Sequence, residues 1–220
     1  MKKTILILGG SSSIAKELIV LHQEDDVYYS YHATISHQSN AFYLDLYDSQ
    51  SYQNIPNKQY DIIYSFLGYT PDVNHIEDIQ ISKVTIERNF LYPTILLQFI
   101  LQKQLHNKGA RIKVVTSVAG VRGRKLNFVY GASKSGMQTL IEGLANKYPQ
   151  LKFTDIVLGP VFTKAVPVHN TPAILISKPV RIANAIKNIT KQKAFIPLRW
   201  KFIMLIISAI PRFIYNKLSL

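Results

Sequence analysis

The sequence predicts a single α/β domain: a doubly wound parallel sheet with helices on both faces, continued by an amphipathic helical tail. Three observations predict it. Short runs of branched apolar residues alternate with segments of helical period, the pattern of parallel strands joined by helical crossovers. The first run, Thr4 to Leu8, is followed by the small-residue turn Gly9-Gly10-Ser11-Ser12-Ser13 and then by a helical stretch, the order of a nucleotide-binding half. The length, 220 residues, suits one full core and is too short for a nucleotide domain plus a separate substrate domain.

Each element follows in order. Residues 14–23 read as a helix with Ile14, Leu18 and Leu21 on one side. The turn before it must be made of small residues if a pyrophosphate is to lie against its backbone and the helix amino end, where free N–H groups favour anions. Residues 27–31 form a second strand. The stretch 32–40 is too polar and short for a full helix, so the crossover there is cut down, and 41–44 is a third strand. Residues 60–68 supply a fourth strand ending in a glycine, and a loop over 69–80 leads to a long helical pattern, 81–105, broken by Pro93. Residues 112–116 are a fifth strand with Ser117 at its carboxyl end, where open α/β sheets keep their ligands. In the next helix Met137, Leu140, Ile141 and Leu144 recur at helical spacing, a packing face. A sixth strand at 153–158, a loop at 164–177 with two prolines and a histidine that suit a lid, a helix at 178–190 and a last strand at 194–197 complete the domain.

Composition narrows the chemistry. The chain contains no cysteine, which excludes disulfides and thiolate nucleophiles, and its six histidines show no paired ligand spacing, so no metal site is expected. A formal charge of +13 implies attraction to anions: nucleotide phosphates, a phosphorylated substrate, nucleic acid or anionic lipid. A strand pattern begins directly after Met1-Lys2-Lys3 and is too short for a signal-peptide core, so a cytoplasmic protein is expected.

The residues that carry chemistry lie between 117 and 144. Tyr130 and Lys134, four apart on a helix, share one face, and an ammonium beside the phenol favours the phenolate. Tyr130 is therefore a candidate general acid/base, with Ser117 delivered to the same end of the sheet. In this Ser…Tyr-x-x-x-Lys pattern, and in the Gly9 turn before it, the chain resembles the short-chain dehydrogenase/reductase family over most of its length.

That resemblance implies a Rossmann-type fold and hydride transfer between a nicotinamide and a carbonyl or secondary alcohol. It assigns catalysis to Asn89, Ser117, Tyr130 and Lys134, Asn89 through its backbone carbonyl. Cofactor contacts fall to Gly9, Ser11, Ser12, Ser13, Ile14, Tyr31, His32, Asp45, Leu46, Leu67, Gly68, Tyr130, Lys134, Gly159, Val161 and Thr163. The chain departs from the family pattern at Leu8 in place of threonine, Ser13 and Ala15 in place of the second and third glycines, Ser65-Phe66-Leu67-Gly68 in place of Asn-x-Ala-Gly, and Leu158 in place of proline. After the second strand stand Ser30, Tyr31 and His32 with no acid, which favours NADP(H) over NAD(H). Family habit also implies a homo-oligomer, dimer or tetramer.

Residues 1–197 are expected to form the dinucleotide-binding domain and 198–220 a helical extension. Only nine residues long, the apolar centre 202–210 is too short to span a bilayer. With Trp200, Arg199, Lys201, Arg212 and Lys217 around it, it suits peripheral contact with the inner face of a membrane, or packing on the protein's own core or on a partner subunit. The tail, the residues around Gly9 and the stretch after Ser117 resemble the subgroup containing the mycobacterial decaprenylphosphoryl keto-pentofuranose reductase. This implies a keto-sugar substrate carried on a polyprenyl phosphate in cell-envelope polysaccharide synthesis. Arg122, Arg124 and Lys125 are candidates to grip a phosphate or to face solvent. A nucleotide-sensing protein without chemistry, or a reductase of a small soluble carbonyl, is the alternative. No basic helix or aromatic platform for nucleic acid is seen.

Overall fold

The computed structural model describes residues 2–32, 40–162 and 172–218. Thr163, most of the expected short crossover and the first part of the expected lid lie outside the described residues. Strands β1 (Thr4–Leu8), β2 (Asp26–Tyr31), β3 (Ala41–Tyr43), β4 (Tyr60–Ser65), β5 (His106–Ser117), β6 (Lys152–Leu158) and β7 (Lys193–Ile196) form one sheet in the order β3-β2-β1-β4-β5-β6-β7. Every neighbouring pair is parallel. Winding reverses between β1 and β4, so a crevice opens at their carboxyl ends, the place where such sheets bind ligands.

Alternate side chains of a strand point to opposite faces, and both faces are covered. On one, α1 (Ser13–Leu21) and α5 (Pro179–Asn188) bury Ile14, Leu18, Ile182 and Ile186 against Ile5, Ile7 and Ile156. On the other, α3 (Tyr92–Gln102) and α4 (Phe128–Lys147) bury Leu96, Ile100, Met137 and Ile141 against Leu6, Leu8 and Ile112. The packing face expected on α4 is thus core, with Leu140 partly buried beside it.

Several ends shift by one to three residues, β4 closing at Ser65 rather than 68 and α1 at Leu21 rather than 23, and two differences have a structural cause. The helical pattern at 81–105 begins at Asp78, whose carboxylate caps α2 (Ile79–Ile86) by accepting from the Gln80 and Ile81 N–H groups. Its irregularity is a π turn at Glu87–Leu91, one turn before Pro93, which sits in the first turn of α3 where a missing N–H does no harm. Strand β5 starts six residues earlier than expected. Its added part is bulged, with Gly109 at φ 79° and a register shift opposite Tyr60 and Ile62, an irregularity that apolar periodicity does not reveal.

After β7 the chain forms α6 (Arg199–Ala209) and α7 (Arg212–Tyr215). Trp200 and Met204 of α6 pack with Val118 and Val157 in a small third core. The opposite face carries Phe202, Leu205 and Ile206, all exposed, so this helix is apolar on both sides rather than amphipathic. No helix among the described residues is long and apolar enough to cross a membrane.

Candidate active site

Ser117 ends β5 and caps the 3-10 turn Val118–Gly120, its Oγ accepting from the Ala119 N–H at 3.2 Å. Helix α4 lies tightly on this turn because two side chains are missing. A Cβ on Gly131 would stand 2.8 Å from the Ala119 carbonyl oxygen, and one on Gly120 would stand 2.8 Å from the Ser135 nitrogen. The close approach brings Tyr130, in the first turn of α4, toward Ser117, and the side chains of Ser117 and Thr70 favour the ionised form of its phenol. Thr70 was not singled out by its sequence context: a threonine in a polar loop gives no periodic or motif signal.

The electrostatics correct one expectation. Burial pushes the Tyr130 phenol above its ordinary value, while the side chains of Ser117 and Thr70 pull it partly back. Lys134 stands with Nζ 5.7 Å from the Tyr130 ring centroid, but it too is buried, and desolvation lowers its ammonium to about 8, partly opposed by the charge of Asp155. A desolvated ammonium loses part of its own hold on the proton and so does not bring the phenol toward neutrality in the free protein.

Asn89 is buried in the π turn. Its Nδ2 donates to the carbonyls of Tyr69 (2.7 Å) and Thr85 (2.9 Å), and its Oδ1 accepts from the Tyr69 N–H (3.1 Å), which fixes the loop leaving β4. Pro93, four residues on, has no N–H to offer the Asn89 carbonyl. Gly68 closes the group, since a Cβ there would be 2.8 Å from Asn89 Oδ1 and 3.0 Å from Lys134 Nζ. Ser117, Tyr130, Lys134, Asn89 and Gly68, from four segments of the chain, therefore meet at the carboxyl ends of β4 and β5.

A polar network anchors the strand end from behind. Gln138, one turn beyond Lys134, donates to the Ser117 carbonyl (3.0 Å) and to Thr116 Oγ1 (3.3 Å), and Thr116 donates to the buried Asp155 (2.5 Å). Lys193 Nζ lies 3.3 Å from the same carboxylate, whose proton affinity burial raises. No local pattern marks these residues, because their partners lie on separate strands.

The crevice beside this group fits a dinucleotide. Gly9 takes φ 82°, left-handed, and its N–H donates to the buried Ser30 hydroxyl at 2.8 Å. Gly10, which the sequence reading did not assign, cannot carry a side chain, because a Cβ would meet the Tyr29 ring and the Ser30 carbonyl at 2.8 and 2.9 Å. Ser12 caps α1 without using its side chain, Ser11 is exposed, and Ser13 is the first helical residue. Together with the unpaired first-turn N–H groups, including that of Ile14, they can receive phosphate. The serine that replaces a glycine thus falls inside the helix and does not distort the turn. At the far end His32 Nε2 lies 3.7 Å from Asp45 Oδ1 and stacks on Tyr43, and Tyr31 meets Tyr43 edge-on. Leu46 and Leu67 pack partly against the core between these points.

At the other rim the chain meets its own tail. A Cβ on Gly159 would fall inside the Trp200 indole, so the bare glycine makes room for α6. Beyond it, Val161 pairs with Ser177 in a parallel bridge. Arg122 donates to the Ile207 carbonyl and lies 3.9 Å over the Tyr215 ring, Arg124 points its guanidinium at the Met204 sulfur, and Tyr215 donates to the Gly123 carbonyl at 3.0 Å. These two arginines hold the tail rather than a substrate phosphate, while Lys125 is exposed.

Residues 61–172, half of the chain, match the short chain dehydrogenase family. The uncharacterized oxidoreductase Rv2073c of Mycobacterium tuberculosis is 29% identical over 109 residues, a match spanning 48% of this chain and 44% of that protein's length. Among solved structures, a short chain dehydrogenase family protein from Francisella tularensis aligns with a TM-score of 0.76 at 18% identity, over 92% of this chain and 100% of that one. A short chain dehydrogenase from Burkholderia cenocepacia, in complex with NADP, aligns with a TM-score of 0.77 at 13% identity, over 100% and 98%. The fold is shared with both, and on the family match the chain belongs to the short chain dehydrogenase family of oxidoreductases.

Proposed function

We propose that the chain is an NAD(P)-dependent oxidoreductase interconverting a carbonyl and a secondary alcohol. The observation that carries this reading is the meeting of Tyr130 with Ser117 and with Lys134, whose Nζ lies 5.7 Å from the phenol ring centroid, and of Lys134 and Asn89 under the bare Gly68. When bound, the nicotinamide supplies the hydride or accepts it. The Gly9 turn, Ser11, Ser12 and the amino end of α1 hold the phosphates, and the bare Gly68 admits the nicotinamide ribose near Lys134. Because its pKa is raised, Tyr130 keeps its proton at neutral pH and is set to donate it to the substrate oxygen in the reducing direction. Ser117 donates to the same oxygen and steadies the charge developing there. Lys134 and the Asn89 carbonyl line the path by which a proton returns to Tyr130.

Two expected results arise here. Ser117→Ala lowers the rate about 10²–10³-fold, as loss of an oxyanion donor does elsewhere, read as kcat at saturating substrate. In the free protein Lys134 gives up its proton as pH rises through about 8. A dinucleotide held by the ammonium must then take up a proton to bind, so affinity falls above that pH, by up to about tenfold per pH unit. NADPH titrations across this range check the sign, and Lys134→Met should remove the dependence.

The finer reading is that NADP(H) is preferred and that the substrate is a keto-sugar on a polyprenyl phosphate, reduced at the inner face of the cell membrane during envelope polysaccharide synthesis by a dimer or tetramer. Support comes from the lack of an acid after β2, with His32 in its place, and from a structural relative solved with NADP. Further support is the likeness of the Gly9 and Ser117 regions to the lipid-linked keto-sugar reductases. NADPH oxidation is measured against keto-sugars, free and polyprenyl-linked. Turnover on the linked sugar alone is expected. Equal turnover of a free small carbonyl overturns the substrate and leaves the oxidoreductase standing.

A further inference from the structure

Helix α6 presents an unusual surface. Its inner side, Trp200 and Met204, is covered by the protein's own core, yet Phe202, Leu205 and Ile206 on the outer side are 59, 68 and 67% exposed, and Phe213 of α7 is 71% exposed. Helices apolar all round are stable where both sides are covered. Scattered exposed leucines need no explanation, but four large apolar side chains within twelve residues form a patch. The helices carrying it are fixed, not loose, since Arg122, Arg124 and Gly123 of the loop between Ser117 and Tyr130 grip α6 and α7. The patch is thus tied to the loop that joins Ser117 to Tyr130.

Charge says what covers it. Lys201, Arg212 and Lys217 are exposed around the patch, and no described carboxylate pairs with them. No Asp or Glu follows Asp155 in the sequence, so the segment that carries the patch brings only basic side chains to it. A second copy of the chain meeting the patch about a twofold axis would set these cations against one another. Anionic headgroups over an apolar interior match both features. Eleven helical residues extend about 16 Å, half a hydrocarbon core, so α6 lies along the surface and does not cross it.

We propose that the outer face of α6 and α7 docks on an anionic lipid bilayer, seating the mouth of the active site against the membrane surface. The proposal extends the reading of a lipid-linked substrate but rests on the surface alone, so loss of vesicle binding and loss of turnover are separate results. The test is flotation of the full chain with vesicles of phosphatidylglycerol and phosphatidylcholine, or of phosphatidylcholine alone. Binding is expected on the anionic vesicles, weakened about tenfold on neutral ones and by added salt. It should also weaken at least about tenfold in Phe202→Ser/Leu205→Ser/Ile206→Ser, with NADPH affinity kept. If that variant loses its circular dichroism spectrum, Phe213→Ser on α7 gives the same comparison. Equal binding by wild type and variant, no binding to either vesicle, or a wild-type dimer that the variant splits while neither binds lipid each overturns it.

Discussion

Tyr130→Phe removes turnover, a fall of about 10²–10⁴, and leaves NADPH affinity close to that of the wild type. The substitution deletes one oxygen and keeps the ring, so the packing of α4 on the Val118–Gly120 turn is unchanged. What disappears is the proton held over the substrate oxygen. Neither hydroxyl that acts on the phenol, Ser117 or Thr70, can replace it, because an alkyl hydroxyl is far too weak an acid to serve near neutral pH. Leaving those hydroxyls without their partner costs about 1 kcal/mol of stability, well short of unfolding the domain. Rapid mixing of the NADPH-loaded variant with substrate, beside a binding titration, separates the two effects. Substantial oxidation of bound NADPH by the variant would remove Tyr130 from the acid/base role.

Gly159→Val has the second large effect, and it falls on structure. The new side chain occupies the space of the Trp200 indole, so Trp200 and Met204 must leave Val118 and Val157, and α6 loses its anchor. The expected loss is about 3–5 kcal/mol, the scale for emptying a buried tryptophan site. Trp200 is the only tryptophan in the chain, so its emission should shift to the red in the folded variant and its denaturation midpoint should fall. A glycine serving only the cofactor would behave differently. Unchanged emission and stability with lost NADPH binding would give Gly159 to the cofactor site alone and contradict the packing described for α6.

Much of the fold could be read in advance because its strands are dense runs of branched residues and its helices carry one apolar stripe. Ser117, Tyr130 and Lys134 were legible for a related reason: two share a helical turn and the third ends a strand, so local spacing places them together. The remainder depends on contacts between distant segments. Nothing around Gly159 says that an indole forty-one residues later fills its missing side chain. Arg122 and Arg124 look like phosphate ligands until α6 and Tyr215 are seen to take them. The shift of the helix irregularity from Pro93 to Glu87–Leu91 reflects proline's tolerance of a first helical turn, which a scan for helix breakers misses. The tyrosine pKa was misjudged because the four-residue spacing shows the cation and hides the desolvation that acts on both groups.

The most direct test of the central claim, that Gly9 through Ile14 and Gly68 hold a nicotinamide dinucleotide against Tyr130 and Lys134, is a fluorescence titration of the purified chain with NADPH and with NADH. Saturable binding of both is expected, tighter for NADPH, and a bulky side chain introduced by Gly68→Val should abolish it by crowding Asn89 and Lys134. Failure of the wild-type chain to bind either dinucleotide would contradict the account at its base.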